Sequence, residues 1–452
     1  MTDNQGLVPN NISITSDLQY NLKASSARGR SYRASIQPTN KSLFGPQDTA
    51  ILYIPCGRRN TFLDTQQSYI KYTIKNTDPT NIINLDGCGA CVINRFDVFH
   101  GSNLLESVQQ YNVLYSYLMD FQINSANKAG LSSAYGFANS GASDARKGSA
   151  IVKANKLTVA MPLLSGVVGL GLDKMLPVGV LSDDIRCELT FEALTASVVS
   201  TTAATTAWEI SNLELELTYI ELSDEAMSIV NSHTNLNDSV FLSGNSWRHY
   251  VSSLPSGQTG MFNCLVPSRQ ASLKTLVCLP RRSTEIADAL SFSLSSRVNP
   301  NIDSYNWRIG GAMFPQKYVT LKNTQAGGYA EGFMEIQKSW HSLNHPECAS
   351  ALGFDYFNVA DAADATVGAG GVIAVNTAAN SYKNGFAIAT EMETYANKSD
   401  VMINGYNTLN SQVFFECTIG STGPTAAYTL DFYANFDHIL VKDTNGLLSV
   451  RF

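Results

Sequence analysis

The sequence predicts an all-β protein: two tandem eight-stranded jelly-roll sandwiches, a double jelly roll, with a few short helices and long outer loops. Three observations predict it. Runs of alternating apolar and polar residues dominate from about residue 46 onward, helical patterns are few, and the order of the elements repeats along the chain.

The alternation has a period of two, as a strand with one face buried requires. Ile70, Tyr72 and Ile74 alternate with Lys71, Thr73 and Lys75; Ile185, Cys187, Leu189 and Phe191 with Arg186, Glu188 and Thr190; Leu213, Leu215, Leu217 and Tyr219 with Glu214, Glu216 and Thr218. Leu290, Phe292 and Leu294 alternate with serines, and Tyr428, Leu430 and Phe432 with Thr429 and Asp431. Antiparallel sheets with one solvated face read this way. Two helices are expected. One spans 103–120, with Leu104, Val108, Tyr111, Tyr115 and Leu118 at helical spacing and Asn103 with Glu106 as a cap. The other spans 328–340, striped by Tyr329, Phe333, Ile336 and Trp340.

Strands at 70–74 and 93–99, the first helix, a long loop, and strands at 185–191 and 213–219 are matched later by 290–294, 306–309, the second helix, a long loop, 413–417 and 428–436. The offsets from Tyr72 to Phe292, Arg95 to Arg308, Tyr111 to Tyr329, Leu189 to Phe415 and Leu215 to Leu430 all fall between 213 and 226 positions. Such a spacing signals duplication. The expected organisation is an extended basic arm over 1–45, a first jelly roll over 46–224, a linker over 225–242, a second jelly roll over 243–442 and a tail over 443–452. Each half carries a long small-residue loop after its helix, 122–156 and 349–383. Loops of this length are usually functional or disordered.

Composition narrows the function. Hydrophobic residues are 44% of the 452, enough for large cores, while charged residues are only 15%, against about 25% in an average soluble domain. Much of the surface is therefore neutral or covered by partners. A net charge of −7 argues against a nucleic-acid-binding body, which needs a basic face. The most apolar stretch, Val159 to Leu181, is broken by Pro162, Pro177, Asp173 and Lys174, so no membrane span is expected. The N-terminal residues lack a charged segment leading into an apolar one, so no secretory signal is expected. Most of the eight cysteines sit inside apolar runs and read as reduced core residues.

No catalytic constellation emerges, and the protein is not expected to be an enzyme or to carry a cofactor or metal. Cys88-Gly-Ala-Cys91 has no second CxxC at ligand spacing and reads as structural thiols. His341, His345 and Cys348 lie near a helix end, with Pro346 following and no HExxH glutamate, and read as a polar terminus. Gly166-Val-Val-Gly169-Leu-Gly171 has the wrong spacing for a dinucleotide turn, and Asp183-Asp184 reads as a turn. One charged feature stands out. From Leu18 to Gln47 there are five basic residues, Lys23, Arg28, Arg30, Arg33 and Lys41, and no acidic one. This reads as an extended arm that would touch nucleic acid, an acidic internal layer or a neighbouring subunit, or simply be solvated.

The stretches Phe62-Leu-Asp-Thr-Gln-Gln-Ser-Tyr-Ile-Lys-Tyr-Thr-Ile, Asn94-Arg-Phe-Asp-Val-Phe-His-Gly-Ser-Asn-Leu-Leu-Glu, Leu213-Glu-Leu-Glu-Leu-Thr-Tyr-Ile-Glu-Leu-Ser-Asp and Arg297-Val-Asn-Pro-Asn-Ile-Asp-Ser-Tyr-Asn-Trp-Arg-Ile-Gly-Gly lie within this repeated pattern. Over about 46–442 the chain resembles the double jelly-roll major capsid proteins of icosahedral double-stranded DNA viruses, the polinton-like virus, virophage and large DNA virus lineage. The resemblance implies homotrimers whose six jelly rolls form pseudo-hexameric capsomers. It implies long loops as outer towers, minor capsid and penton proteins as partners, a place in the virion shell, and an arm facing inward or tying capsomers together, with contact to an internal layer or DNA. The competing reading is a carbohydrate-binding, lectin-like tandem β-sandwich, for which Tyr135 and Tyr356 in the long loops are candidate platforms. A β-sandwich hydrolase would need convergent carboxylates that the sequence does not display.

Overall fold

A computed structural model describes residues 28–137, 148–200, 207–322, 328–341, 357, 384–394 and 403–451. The first half contains eight principal strands: β1 (Gly29–Ile36), β2 (Thr49–Ile54), β3 (Thr61–Asn76), β4 (Ile93–His100), β5 (Asn103–Gln109), β6 (Lys156–Pro162), β7 (Ile185–Phe191) and β8 (Trp208–Leu222). The second contains β9 (Val240–Leu254), β10 (Gly260–Val266), β11 (Leu273–Arg282), β12 (Ile302–Ile309), β13 (Ala312–Thr320), β14 (Ile388–Glu391), β15 (Val413–Ile419) and β16 (Tyr428–Lys442). In the first half the sheets run β1-β8-β3-β6 and β2-β7-β4-β5; in the second they run β9-β16-β11-β14 and β10-β15-β12-β13. Every pairing is antiparallel. The two halves therefore have the same strand order, sheet by sheet, and each is an eight-stranded jelly roll.

The alternation locates the core. Along β7 the buried set is Ile185, Cys187, Leu189 and Phe191, and the outward Arg186 and Glu188 pair with each other at 3.0 Å. In the second half Trp307, Phe415 and Phe432 pack in one cluster at tilted and edge-on angles, with ring centroids 4.9 to 5.8 Å apart.

Four expectations change. Residues 103–109 are strand β5, not the start of a helix; the helix is α1 (Tyr111–Phe121), entered through Gln110 at φ 48°. Leu104 and Val108 share helical spacing by chance, since Leu104 is exposed and Val108 buried in a ladder with β4. Glu106 is no cap, because it is buried. All of α1 is buried, which explains its weak amphipathic signal. Second, Leu290–Leu294 forms turns rather than a strand, although Phe292 and Leu294 are buried. Asp86 of the first half holds it, accepting bonds from the backbone N–H groups of Leu294 and Ser295 at 2.8 and 3.0 Å and from the Ser295 hydroxyl at 2.5 Å. The true counterpart of β3 is β11.

Third, the basic arm is partly a strand: β1 pairs with β8 from Gly29↔Leu222 to Ile36↔Leu215, so the first jelly roll begins near residue 29 rather than 46. The even-numbered Tyr32, Ala34 and Ile36 pack on the core, while the odd-numbered Arg33 and Ser35 face Glu216. Fourth, the tail contributes a strand, Leu448–Arg451, paired with β16. The second helix, α3, spans Ala330–Ser339; between the halves lies α2 (Asp224–His233), capped by Ser223, whose hydroxyl accepts from Ala226 N–H at 3.2 Å. Within the first long loop, Ser125–Gly130 and Ser132–Tyr135 are short helices. Of the second loop only Phe357 is among the described residues, buried against Phe121 of α1 and Phe386.

Removing residues 1–27 leaves β1 in place, whereas removing 1–40 takes β1 away and strips the edge of β8. The longer truncation deletes Tyr32, Ala34 and Ile36 and bares the core they cover, and is expected to lose about 2–4 kcal/mol of stability relative to the shorter one, measured by urea unfolding.

Candidate functional site

The chemistry of this molecule concentrates where its two halves meet. The backbone of Ser165–Leu172 runs against Gly244 and Asn245: Asn245 N–H donates to the Gly171 carbonyl at 2.8 Å, and Leu172 forms a bridge with Gly244. A Cβ on Gly171 would overlap the Asn245 carbonyl, and one on Gly166 would overlap both that carbonyl and the His438 ring. The glycine run that fails as a dinucleotide turn thus permits close contact between two backbones. At its centre Glu106 of β5 accepts hydrogen bonds from the hydroxyls of Ser165 and Ser246 and from Gly166 N–H at 2.9 Å. Burial pushes the Glu106 pKa up, against the pull of these donors. Ser246 belongs to the second half, so one carboxylate is shared by both.

Charged side chains reinforce the seam. Arg297 Nη2 lies 2.8 Å from Asp120 Oδ2, with both side chains at most 1% exposed, and Arg297 also donates to the Leu294 and Phe386 carbonyls. Lys128 approaches the other Asp120 oxygen at 3.1 Å. The Tyr433 hydroxyl donates to the Gln110 carbonyl at 2.9 Å, and Trp340 Nε1 to the Tyr117 hydroxyl at 3.1 Å. A further buried group stands nearby, with Arg281 Nε at 2.6 Å and His249 Nε2 at 2.8 Å from Asp431. Burial opposes ionisation of Asp431, but Arg281 and His249 hold its pKa below the ordinary value. These contacts fix the two jelly rolls as one block.

The outer edges of the block differ. β1 and β2 are edge strands of the first half, β9 and β10 of the second. Along β1, Arg30 pairs with Glu221 at 2.9 Å and Arg33 with Glu216 at 2.6 Å; Lys41 pairs with Asp48 at 2.6 Å. The Arg33 guanidinium holds the Glu216 carboxyl down to about 2, against a burial effect that raises it. Arg28 is exposed, and its carbonyl accepts from Ser223 N–H at 3.0 Å; Lys23 lies outside the described residues. Three of the five predicted cations are therefore matched by carboxylates of their own half. On β9 and β10, by contrast, Phe241, Val251, Met261 and Leu265 are exposed. Open strand edges with apolar side chains mark interaction surfaces.

The remaining candidates fall into place individually. Cys88 and Cys91 are buried beside the Tyr72 hydroxyl, which donates to the Gly89 carbonyl at 2.8 Å, and burial pushes the Cys88 thiol up to about 12. Tyr135 packs on Phe137 with centroids 5.9 Å apart and is only partly exposed; Tyr356 lies outside the described residues. Asp184, just before β7, accepts from Cys56 N–H at 2.9 Å, a long-range bond that ties it to the chain following β2 rather than a turn-local one. His345 and Cys348 also lie outside the described residues, but His341 meets Glu391 and Glu393, two carboxylates that no sequence spacing joins to it. No helix among the described residues is long and apolar enough to cross a membrane.

No protein-family model matches the sequence, and no curated protein matches it. Solved structures do match in fold. The PBCV-1 virus capsid model is similar with TM-score 0.59 at 8% identity, covering 96% of this chain and 98% of that one. The Faustovirus major capsid protein is similar with TM-score 0.57 at 10% identity, covering 97% and 93%. The mavirus major capsid protein is similar with TM-score 0.54 at 10% identity, covering 98% and 96%. The double jelly roll is thus shared from end to end, with little residue identity.

Two outcomes follow. Asp120→Ala leaves Arg297 buried without its partner and is expected to cost about 3–5 kcal/mol in denaturant unfolding. His438, at the seam, has its pKa lowered from 6.5 to about 4 by burial, against the Gly166 backbone, so the folded state holds a neutral ring. The unfolded chain takes up the proton first as pH falls. This contribution to stability is complete above about pH 6.5 and is lost progressively toward pH 4. A stability–pH profile that is flatter over that window in His438→Phe than in the parent protein checks it.

Proposed function

We propose that this protein is the major capsid protein of an icosahedral double-stranded DNA virus, a structural protein without catalysis. Its trimers would form pseudo-hexameric capsomers that tile the shell. The observation that carries the reading is the end-to-end likeness of two tandem jelly rolls, locked in one block, to capsid proteins of matching length. Two jelly rolls per chain and three chains per ring supply six similar lobes, which is what hexagonal tiling needs. A low charged fraction suits sides covered by neighbours, and obligate interfaces commonly bury about 2,000–5,000 Å².

Within this reading, the segment before β1, including Lys23, and the strip carrying Arg28, Arg30, Arg33 and Lys41 contact neighbouring copies or an internal layer. The exposed apolar edge of β9 and β10 is the complementary flank. The loops 122–156 and 349–383, inserted between equivalent strands of each half, would form the outer towers. Minor capsid and penton proteins, and the packaged DNA on the inner side, are the further partners, and the protein resides in the virion. Among the described residues nothing favours the lectin-like alternative: Tyr135 is packed against Phe137 rather than displayed.

The test is the mass of the purified protein by sedimentation or light scattering. A particle of three chain masses is expected, and Met261→Asp combined with Leu265→Asp should shift it toward the monomer while leaving the fold intact by circular dichroism. A parent protein that remains monomeric at high concentration would overturn the capsomer reading.

A further inference from the structure

We propose that His341, Glu391 and Glu393 form a binding site for a divalent cation of the zinc class, using one ring nitrogen and one oxygen from each carboxylate, with water completing the shell. This site is independent of the capsid reading. His341 follows α3 with φ 55°, and Glu391 and Glu393 stand two residues apart at the end of β14, with the intervening Met392 turned into the core. Ligand atoms of all three lie within 4.8 Å of one another. His341 Nδ1 is 3.6 Å from Glu391 Oε1, and Nε2 is 3.4 Å from Glu393 Oε2. Both separations exceed a hydrogen bond; they are made by opposite ring nitrogens, so an ion bound between the three residues takes one nitrogen and the ring turns to present it.

The second observation is the state of Glu391. Its side chain is 6% exposed, and its buried Oε1 atom, 3.6 Å from the imidazole, has no hydrogen-bond partner. A buried carboxylate oxygen without a donor is costly, and a cation removes that cost. The surroundings leave room for one. Lys274 approaches Glu393 through the other oxygen, Oε1, at 2.9 Å and Asp437 at 3.4 Å; Lys338 pairs with Glu335 at 3.8 Å. Four carboxylates face two ammonium groups, so a divalent ion completes neutrality with the ring uncharged. Entry is open, because His341 and Glu393 line a cleft of ≈ 820 Å³ between the halves that also contains Trp340, Lys274 and Asp437. A nitrogen ligand beside two carboxylates suits zinc-like ions, whereas calcium and magnesium prefer all-oxygen shells.

The alternative occupant of the same geometry is a proton, giving an imidazolium held between two carboxylates. The experiment separates them. Full-length protein freed of metal by a chelator is titrated with Zn²⁺ by calorimetry, with Mg²⁺ and Ca²⁺ as comparison ions, and with Co²⁺ followed by visible absorption. One Zn²⁺ per chain is expected, with a rise in Tm that chelator reverses and with no comparable uptake of Mg²⁺ or Ca²⁺. His341→Ala and Glu391→Gln should each weaken binding by more than about 100-fold, the upper end of what losing even an outer-shell partner costs. Both should abolish the Co²⁺ ligand-field bands. His233→Ala, on the exposed end of α2, should change nothing. No Zn²⁺ uptake by the parent protein, or equal uptake by the folded His341→Ala and Glu391→Gln variants, overturns the proposal; absent uptake together with a raised His341 pKa by NMR assigns the pair to the proton.

Discussion

Everything outward-facing on this molecule depends on the close backbone contact between Ser165–Leu172 and Gly244–Ser246. Two sandwiches joined only by a linker would reorient freely, because interdomain contacts are by default mobile. Here the glycines bring the chains to hydrogen-bonding distance, Glu106 draws donors from both halves, and Asp120 with Arg297 places opposite charges in a buried site. Such a pair contributes little over an apolar substitute but makes any misregistered arrangement expensive. It therefore specifies the angle between the halves more than it stabilises them.

The parts of the fold that were legible in the sequence share one property: a single buried face. β7 and β8 show it, and their burial follows the alternation. Where tertiary context replaced that simple pattern, the reading failed. Ser291, Phe292, Ser293, Leu294 and Ser295 are all buried, so their alternation marks no face, and the segment is held by Asp86 from the other half. Leu104 and Val108 mimic a helix stripe inside a ladder. Arg30 and Arg33 obscured β1 because their partners, Glu221 and Glu216, lie far along the chain, and a run of cations without local acids reads as a tail.

The seam and the His341 cluster were illegible for the same reason. Ser165, Gly166 and Ser246 carry no motif, and the ligands of the proposed cation site come from a helix end and a strand end separated by the second long loop. Spacing signals exist only when ligands share one element. The duplication itself survived as element order, with strands β1–β8 matched one to one by β9–β16, even where individual equivalences such as Phe292 were misplaced.

The two copies of the edge have diverged in chemistry: guanidinium groups line β1, while phenyl, isopropyl and thioether groups line β9 and β10. A dyad would juxtapose identical flanks, ion-paired edge against ion-paired edge or apolar against apolar, and gains nothing from that difference. A rotor in which each block offers its heterologous side to the next one exploits it. In the proposed capsomer the divergence of the duplicated strands would set a direction around the ring, and it favours cyclic closure over back-to-back pairing.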